Sequence, residues 1–232
     1  MGICMIFGAG ERVTADRVMI PAADDLVIAA DGGLVWLSEL TDIAATFRPA
    51  LFIGDFDSFL DREEERGFNR DSVAKLCETF GTELIPLPVV KDDTDTGAAV
   101  AEGRKRGYQT FQIYGGTGGR WDHTIANCQL LANIARNGGR GFLVGAGLCA
   151  VAIHEETVRI CGKPGTGFSV FSAGGTVEGV TIRDAKYELD GAPLSDDYAL
   201  GVSNSFSASA AEIGCKKGTL LIVGEFLPND CE

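Results

Sequence analysis

Basic residues are scarce in this sequence. Its 20 lysines and arginines stand against 33 aspartates and glutamates, so the formal net charge is −13. Binding to nucleic acid or to an anionic membrane requires a basic face, and this balance argues against both kinds of partner. A substrate that carries phosphate would need metal ions and a few well-placed cations to offset the protein's own negative field.

Paired cysteines and long apolar segments are missing as well. The seven cysteines are scattered, and no two of them form a CxxC pair. Such usage favours reduced thiols in the cytoplasm over a disulfide framework or a zinc site. No apolar run approaches the roughly 20 residues of a membrane-spanning helix. We therefore expect a cytoplasmic protein without a membrane partner.

The first half of the sequence has an α/β pattern. Buried strands are predicted at residues 3–8, 26–30, 51–54, 84–87 and 111–114, and helices at 34–40, 61–80, 97–106 and 122–136. In the last of these helices, four residues recur at helical spacing and are predicted to face the core: Ile125, Cys128, Leu131 and Ala135. The alternation predicts an α/β N-terminal domain with a mostly parallel sheet, over residues 1–147.

The second half is predicted to be all β. From about residue 148, short strands alternate with turns rich in Gly, Pro and Asp, and no convincing amphipathic helix appears. The predicted strands include residues 199–202, and Asp190-Gly191 is interpreted as a turn. This pattern is typical of an all-β sandwich, which we assign to a C-terminal domain over residues 148–232.

Carboxylates stand at the ends of three predicted strands of the first half. The set comprises Asp31, Asp55, Asp57, Asp92, Asp93 and Asp95. Residues two apart in an extended chain point the same way, so Asp55 and Asp57 can aim at one point. Parallel strands end at one edge of a sheet, where α/β proteins bind ligands. Each carboxylate alone could be a turn or a helix cap, but together they favour a divalent cation.

A glycine-rich loop follows the fifth predicted strand. Four of the five residues 115–119 are glycine, and Arg120 comes next. Backbone N–H groups of such a loop approach an anion closely, and a guanidinium can bind phosphate through two hydrogen bonds. The loop lacks the GK[ST] of a P-loop, and a simple hinge is the alternative interpretation. The Gly8-Ala9-Gly10 segment after the first strand is weak evidence for a dinucleotide site, and we set it aside.

Taken in order, these motifs resemble a known family. DGG at 31–33, GDFDS at 54–58, DDTDT at 92–96 and GGTGGRWDH at 115–123 are similar to the motifs of the thiamine pyrophosphokinases, also called thiamine diphosphokinases. An α/β half followed by an all-β half matches that family too, so the resemblance covers nearly the whole chain. It implies a kinase that transfers pyrophosphate from ATP to the hydroxyl of thiamine, giving thiamine diphosphate and AMP.

The resemblance also implies roles for individual residues. It implies that three carboxylates bind Mg²⁺ and serve catalysis: Asp55, Asp57 and Asp95. It implies substrate-binding roles, mainly on the nucleotide phosphates and the loop that holds them, for Asp31, Lys91, Thr94, Arg120, Asp122 and His123. From the residue alone, His123 is more simply a hydrogen-bonding or capping residue at a helix start.

The thiamine pocket is implied to lie near Ser203-Asn204, in a homodimer that binds thiamine between the α/β half of one subunit and the β half of the other. Family members stack an aromatic ring on thiamine from near the C-terminus. Here both tryptophans, Trp36 and Trp121, lie in the first half, and the last strand offers only Phe226. The sequence therefore leaves the aromatic partner of thiamine open.

Two other functions fit parts of the sequence. A haloacid-dehalogenase-like phosphatase would use Asp55 as its nucleophile, but its DxD motif belongs on the first strand, and here two strands precede it. A non-catalytic nucleotide-binding protein would use the acidic residues only to hold metal. The sequence does not choose between Asp57 and Asp95 as acceptor of the thiamine hydroxyl proton.

Overall fold

A computed structural model of the protein describes residues 2–55, 70–88 and 92–232. The chain forms two compact units, Met1–His123 and Thr124–Glu232. No helix among the described residues is long and apolar enough to cross a membrane.

The first unit is built on a parallel sheet. Its five strands are β1 (Cys4–Phe7), β2 (Leu26–Ala30), β3 (Leu51–Gly54), β4 (Glu83–Pro86) and β5 (Thr110–Tyr114), in the spatial order β5-β1-β2-β3-β4. All neighbouring strands in this row run parallel. Strands β1, β2 and β3 are buried along their whole length, as expected for a parallel sheet that is covered on both faces. The predicted α/β fold with a parallel sheet is confirmed.

Within residues 2–55, 70–88 and 92–136, the structure has four α-helices. They are α1 (Gly33–Leu40), α2 (Arg70–Phe80), α3 (Asp95–Lys105) and α4 (Trp121–Arg136). The predicted helix at 61–80 is seen from Arg70 onward, and its earlier residues lie outside the described part of the chain. The division between the units falls inside α4, after His123. In α4, Leu131 and Ala135 are buried as predicted, but the prediction for Ile125 was wrong: it is 57% exposed.

An aromatic cluster fills the core beside β1. The Phe7 ring stacks on Tyr114 at 4.9 Å between centroids and meets Trp36 edge-on at 5.3 Å. The Tyr114 hydroxyl donates a 2.6 Å hydrogen bond to Gln112 Oε1, which satisfies two buried polar groups at once. Trp36 is only 4% exposed, so it is a packing residue of this core.

The second unit contains two antiparallel sheets. In the first, the strands follow the order β12 (Asn204–Ser205), β9 (Gly167–Ser172), β14 (Thr219–Gly224), β7 (Cys149–His154) and β6 (Arg140–Val144). In the second, the order is β11 (Leu189–Leu194), β10 (Val177–Arg183), β13 (Ala210–Gly214) and β8 (Thr157–Cys161). Neighbouring strands pair antiparallel in both sheets, and the predicted all-β second half is confirmed.

Two local predictions for this unit were wrong. Residues 199–202 form a turn and not a strand, although Val170 N donates to Gly201 O at 2.9 Å. Asp190-Gly191 lies inside strand β11 and not in a turn. The pairing with β10 skips Gly191, whose φ is +70°, so this glycine forms a β-bulge. A bulge needs the same left-handed backbone as many turns, and therefore the same residue type.

Candidate functional site

The carboxyl ends of the parallel strands lie in register. Phe7 of β1 pairs with Ala29 of β2 and with Tyr114 of β5, and Ala30 pairs with Ile53 of β3. The residues that follow these strands therefore line one edge of the sheet, as the sequence predicts. Among them are Asp31 and Asp55, and the two glycine segments that begin at positions 8 and 115.

Asp31 occupies a left-handed position directly after β2. Its φ is +49°, and the residue is only 4% exposed. Its N–H continues the sheet by donating to Ile53 O at 2.9 Å, and its carbonyl accepts from Leu34 N at 3.2 Å. The glycine at 33 is required by packing, because a Cβ there would lie 1.8 Å from the carbonyl oxygen of Phe7. The DGG motif thus turns the chain sharply from β2 into α1 and fixes a carboxylate at the sheet edge.

The glycine-rich loop pairs with the segment that the sequence analysis set aside. Gly10 N donates to Gly115 O at 2.7 Å, and Glu11 N donates to Thr117 O at 2.8 Å. A Cβ on Gly10 would lie 2.5 Å from the carbonyl oxygens of both Gly115 and Thr117. The GxG after β1 is therefore a backbone docking site for the second loop. Its only signal in the sequence was the glycine spacing itself, which is typical of several kinds of loop.

The start of α3 is organised by Thr94. Its Oγ1 accepts a 3.0 Å hydrogen bond from Gly97 N, which caps the helix, and its own N–H donates to Asp93 Oδ1 at 2.8 Å. Asp95 is the first residue of the helix and is half-buried, whereas Asp92 and Asp93 are exposed. Because the Thr94 hydroxyl acts as an acceptor in the cap, its proton can still be donated to another group.

Arg120 and Asp122, which directly follow the glycine-rich loop in sequence, form an ion pair. Arg120 Nη2 donates to Asp122 Oδ2 at 2.5 Å, and Nε donates to Oδ1 at 3.2 Å. The carboxylate raises the pKa of Arg120, and the guanidinium lowers the pKa of Asp122. Both side chains, like His123 next to them, are exposed. A phosphate that reaches Arg120 would therefore meet a guanidinium already oriented by Asp122.

Two of the predicted site residues, Asp57 and Lys91, lie outside the described residues. Within residues 2–55, 70–88 and 92–232, no three metal-ligating side chains form a cluster. The carboxylates of Asp55 and Asp95, which follow β3 and head α3, are hard oxygen donors of the kind that Mg²⁺ prefers. The chemistry of this donor set fits a magnesium ion.

In the second unit, Asn204 holds a tyrosine that the sequence analysis missed. Tyr187 N donates to Asn204 Oδ1 at 3.0 Å, and Asn204 Nδ2 donates to Tyr187 O at 2.6 Å. Asn204 is 5% exposed, while Tyr187 is 58% exposed with Lys186 Nζ at 5.1 Å from its ring centroid. Ser203 beside it has a φ of +62° and is exposed. The buried amide therefore fixes the backbone from which an open aromatic ring projects.

Phe226 does not offer such a ring. It is 2% exposed and belongs to the core of the second unit, so its ring faces are covered by protein. Phe226 is therefore not the accessible aromatic ring that the sequence left to be identified. Burial of this kind depends on how the sheets pack, which the local sequence does not specify.

Comparisons with known proteins give one consistent family. A family model described as "Thiamin pyrophosphokinase, catalytic domain" matches residues 20–142, and one described as "Thiamin pyrophosphokinase, vitamin B1 binding domain" matches residues 155–220. The thiamine pyrophosphokinase of Bacillus subtilis (strain 168) is 30% identical over 129 residues, which are 56% of this chain and 53% of that protein. The chain thus matches about half the length of this curated relative.

Solved structures share the fold along nearly the whole chain. A thiamin pyrophosphokinase family protein from Enterococcus faecalis is 26% identical with a TM-score of 0.73, covering 97% of this chain and 99% of that one. The structure of the thiamine pyrophosphokinase from Bacillus subtilis has a TM-score of 0.80 at 21% identity, with the same coverage of 97% and 99%. At that identity the likeness concerns the fold.

Proposed function

Because this chain belongs to the thiamin pyrophosphokinase family, we propose that it transfers pyrophosphate from ATP to the hydroxyl of thiamine, giving thiamine diphosphate and AMP. The observation that carries this proposal is the match of both domain models in order, the catalytic one over residues 20–142 and the vitamin-binding one over 155–220.

We propose a domain boundary at residues 147/148, which falls between these matches. All seven cysteines are free thiols, which favours a location in the cytoplasm because thiols stay reduced there.

The carboxylates of the proposed site are oxygen ligands of the kind that Mg²⁺ prefers. We propose Asp55, Asp57 and Asp95 as the residues that hold it, because carboxylates at a strand end and a helix start can meet one ion. When bound, Mg²⁺ neutralises part of the charge on the phosphates of ATP. The chain's net charge of −13 makes such compensation necessary before a triphosphate can approach.

The remaining nucleotide contacts come from neutral and cationic donors. In the proposed complex, Lys91 and Arg120 neutralise phosphate charge, and the backbone N–H groups of the glycine-rich loop donate to phosphate oxygens. The Thr94 hydroxyl donates its remaining proton, and Asp31 and His123 border the same region. The attacking alcohol needs alignment with the β-phosphorus more than a strong base, since such transition states are loose. Asp57 or Asp95 accepts its proton late in the reaction.

Thiamine binding is assigned to the second unit. We propose that the Tyr187 ring stacks on thiamine, a role in which it replaces Phe226, and that Ser203 and Asn204 border the same pocket. Tyr187 is the exposed aromatic that Asn204 holds through two hydrogen bonds, of 3.0 and 2.6 Å. A cationic aromatic ligand gains from an electron-rich ring face, here the face opposite to Lys186, whose Nζ lies 5.1 Å from the ring centroid. The pocket is completed in a homodimer, between this half and the α/β half of the partner subunit.

The test is an assay of the purified protein with ATP, thiamine and Mg²⁺, reading AMP and ADP separately. AMP is expected only when all three are present, and chelation of the metal should abolish it. ADP would identify an ordinary kinase, and ATP binding without turnover would identify a nucleotide-binding protein. A trapped phosphoryl group on Asp55 would identify a phosphatase.

Variants of the thiamine pocket extend the same assay. Tyr187→Ala should raise the KM for thiamine about ten-fold, since a stacked aromatic pair contributes about 0.5–1.5 kcal/mol beyond its buried area, and leave the KM for ATP unchanged. Tyr198→Ala is the matched control, because Tyr198 is 69% exposed in the same unit and makes no hydrogen bond to Asn204 in the described part of the chain. An equal effect of the two variants would contradict the assignment of Tyr187.

A further inference from the structure

Trp121 is the most exposed large apolar side chain among the described residues. It is 81% exposed at the first position of α4, and no described aromatic or cationic side chain contacts its ring. An indole has one of the largest apolar surfaces of any side chain, and leaving it in water forgoes that contribution to stability. The chain's other tryptophan, Trp36, is 4% exposed in the core. The contrast indicates that the Trp121 ring serves a partner from outside the fold.

The surroundings of Trp121 in the first unit are polar. Gly119, Arg120, Asp122 and His123 flank it, and all four are exposed. A protein partner that buries an aromatic residue usually does so within a larger apolar patch, whereas the exposed large apolar neighbour along α4 is the single side chain of Ile125. A flat π-system that also carries negative charge fits better, because indole and guanidinium stand side by side. A nucleotide has both features in one molecule.

The ring projects from a firmly held backbone. The loop before it is tied to the first unit by the bond from Glu11 N to Thr117 O at 2.8 Å. Gly118 packs against Glu11 so closely that a Cβ there would lie 2.5 Å from the Cβ of Glu11. The residues on either side of Trp121 are joined by the bidentate pair of Arg120 and Asp122. Such anchoring reduces the entropy that is lost when a ligand docks on the ring.

We infer that Trp121 is the base-stacking residue of the nucleotide site. The purine of ATP stacks on the indole, and its phosphates extend along residues 115–120. The inference rests on the proposed function for the identity of the phosphate donor, but the stacking itself requires only that a nucleotide binds. Stacking contacts the face of a base and not its hydrogen-bonding edge, so GTP should bind about as well as ATP. Pyrimidine triphosphates should bind more weakly because their rings are smaller.

The two tryptophans make the test direct. The Trp36→Phe variant retains a single indole at position 121, and titration with Mg²⁺ and ATP, without thiamine, should quench its fluorescence in a saturable way and protect it from iodide. The reciprocal variant, Trp121→Phe, retains only the buried Trp36, and the same titration should leave its emission unchanged. This second variant keeps the test valid if the core substitution impairs folding.

Steady-state kinetics provide the second measurement. Trp121→Leu should raise the KM for ATP roughly 5- to 150-fold, the range found when a stacking aromatic is removed, with little change in the KM for thiamine. Trp121→Phe should retain part of the affinity. Ile43→Ala is the matched control, because Ile43 is 63% exposed in the same unit and lies beyond the C-terminal end of α1, whose opposite end packs on Phe7 and Gly8.

The outcomes separate this inference from the proposed function. Quenching by ATP without AMP formation would support the stacking role and overturn the kinase. If AMP is formed, but ATP does not change the fluorescence of Trp121 and Trp121→Leu leaves the KM for ATP unchanged, the stacking role alone would be overturned. Emission that changes with protein concentration and not with ATP would also overturn it, because the ring would then lie in a contact between subunits.

Discussion

At the scale of single residues, two glycines of one site differ in whether packing requires them to be glycine. Gly10 lies against two carbonyl oxygens that a Cβ would approach to 2.5 Å. Gly119 has no atom within 4 Å of the position of its missing Cβ, and its φ is not in the left-handed region. The first is required by the close approach of two backbone segments, whereas an alanine would fit at the second.

Substitution of these glycines should separate the two cases. Gly10→Ala should lower the free energy of unfolding by about 1–3 kcal/mol, because the backbone must shift to relieve the overlap. It should also lower AMP formation, because the glycine-rich loop moves with its docking segment. Gly119→Ala, the matched control, should change stability by less than about 0.5 kcal/mol. Urea denaturation measures the stability of both variants. Equal stabilities of Gly10→Ala and Gly119→Ala would show that the two loops are not tightly docked.

At the scale of elements, helix α3 shows how a segment that we propose for phosphate and metal binding also builds local structure. Thr94 caps the helix through Gly97 N at 3.0 Å, and a Cβ on Gly97 would lie 2.1 Å from Asp93 Oδ1. The segment 92–96 is therefore under a structural constraint, in addition to the binding role that we propose for it. A loss of activity at Thr94 must be separated from a loss of the cap before it is attributed to phosphate binding.

The cap can be tested with two variants and a control. Thr94→Ala should lower the free energy of unfolding by about 0.5–2 kcal/mol, and Thr94→Ser should restore most of it because serine also caps. Thr79→Ala is the control, because its hydroxyl only donates to Lys75 O on an exposed turn of α2. Thermal or urea unfolding gives the comparison. A Thr94→Ala variant as stable as the wild type would show that the hydroxyl has no capping role.

The elements also show what the sequence can specify. Strands such as β2 were predictable because an unbroken apolar run suits a sheet covered on both faces. Asp31 and Asp55 were predictable as sheet-edge residues because they directly follow such strands. The clamp between Asn204 and Tyr187, and the docking of Gly10 on Gly115, join residues distant in sequence. Neither leaves a periodic pattern, so only the folded chain shows them. The bulge at Gly191 and the exposed Ile125 depend likewise on neighbours from other elements.

At the scale of the whole molecule, burial favours the neutral form of five of the seven thiols. Burial raises the pKa of Cys4 to about 12, and it also raises the pKa values of Cys77, Cys128, Cys215 and Cys231. None of the seven cysteines forms a disulfide. Because the thiolate is the reactive form, the five thiols with a raised pKa should resist oxidation and alkylation as long as the chain is folded.

Stability should therefore fall at alkaline pH. Below pH 9 the Cys4 thiol is neutral in both states, and its contribution is fully present. Between about 9 and 12 the unfolded chain loses this proton while the folded chain keeps it, so the free energy of unfolding falls by up to about 1.4 kcal/mol per pH unit. Urea midpoints from pH 8 upward should decline less steeply in Cys4→Ala. Ile6→Val, in the same strand, is the control: it should lower the urea midpoint equally at every pH and so leave the slope of midpoint against pH unchanged. Identical slopes for the wild type, Cys4→Ala and Ile6→Val would refute the role of Cys4.

The pairing of residues 8–11 with residues 115–117 also limits how the length of this protein can vary. An extra residue in either segment would change the register between them, so the bonds from Gly10 N to Gly115 O and from Glu11 N to Thr117 O could not both form. An insertion in one loop would have to be matched by a change in the other. Relatives of this chain should accordingly keep both loops at constant length, and their insertions should fall beyond residue 11, in the stretch that leads to β2.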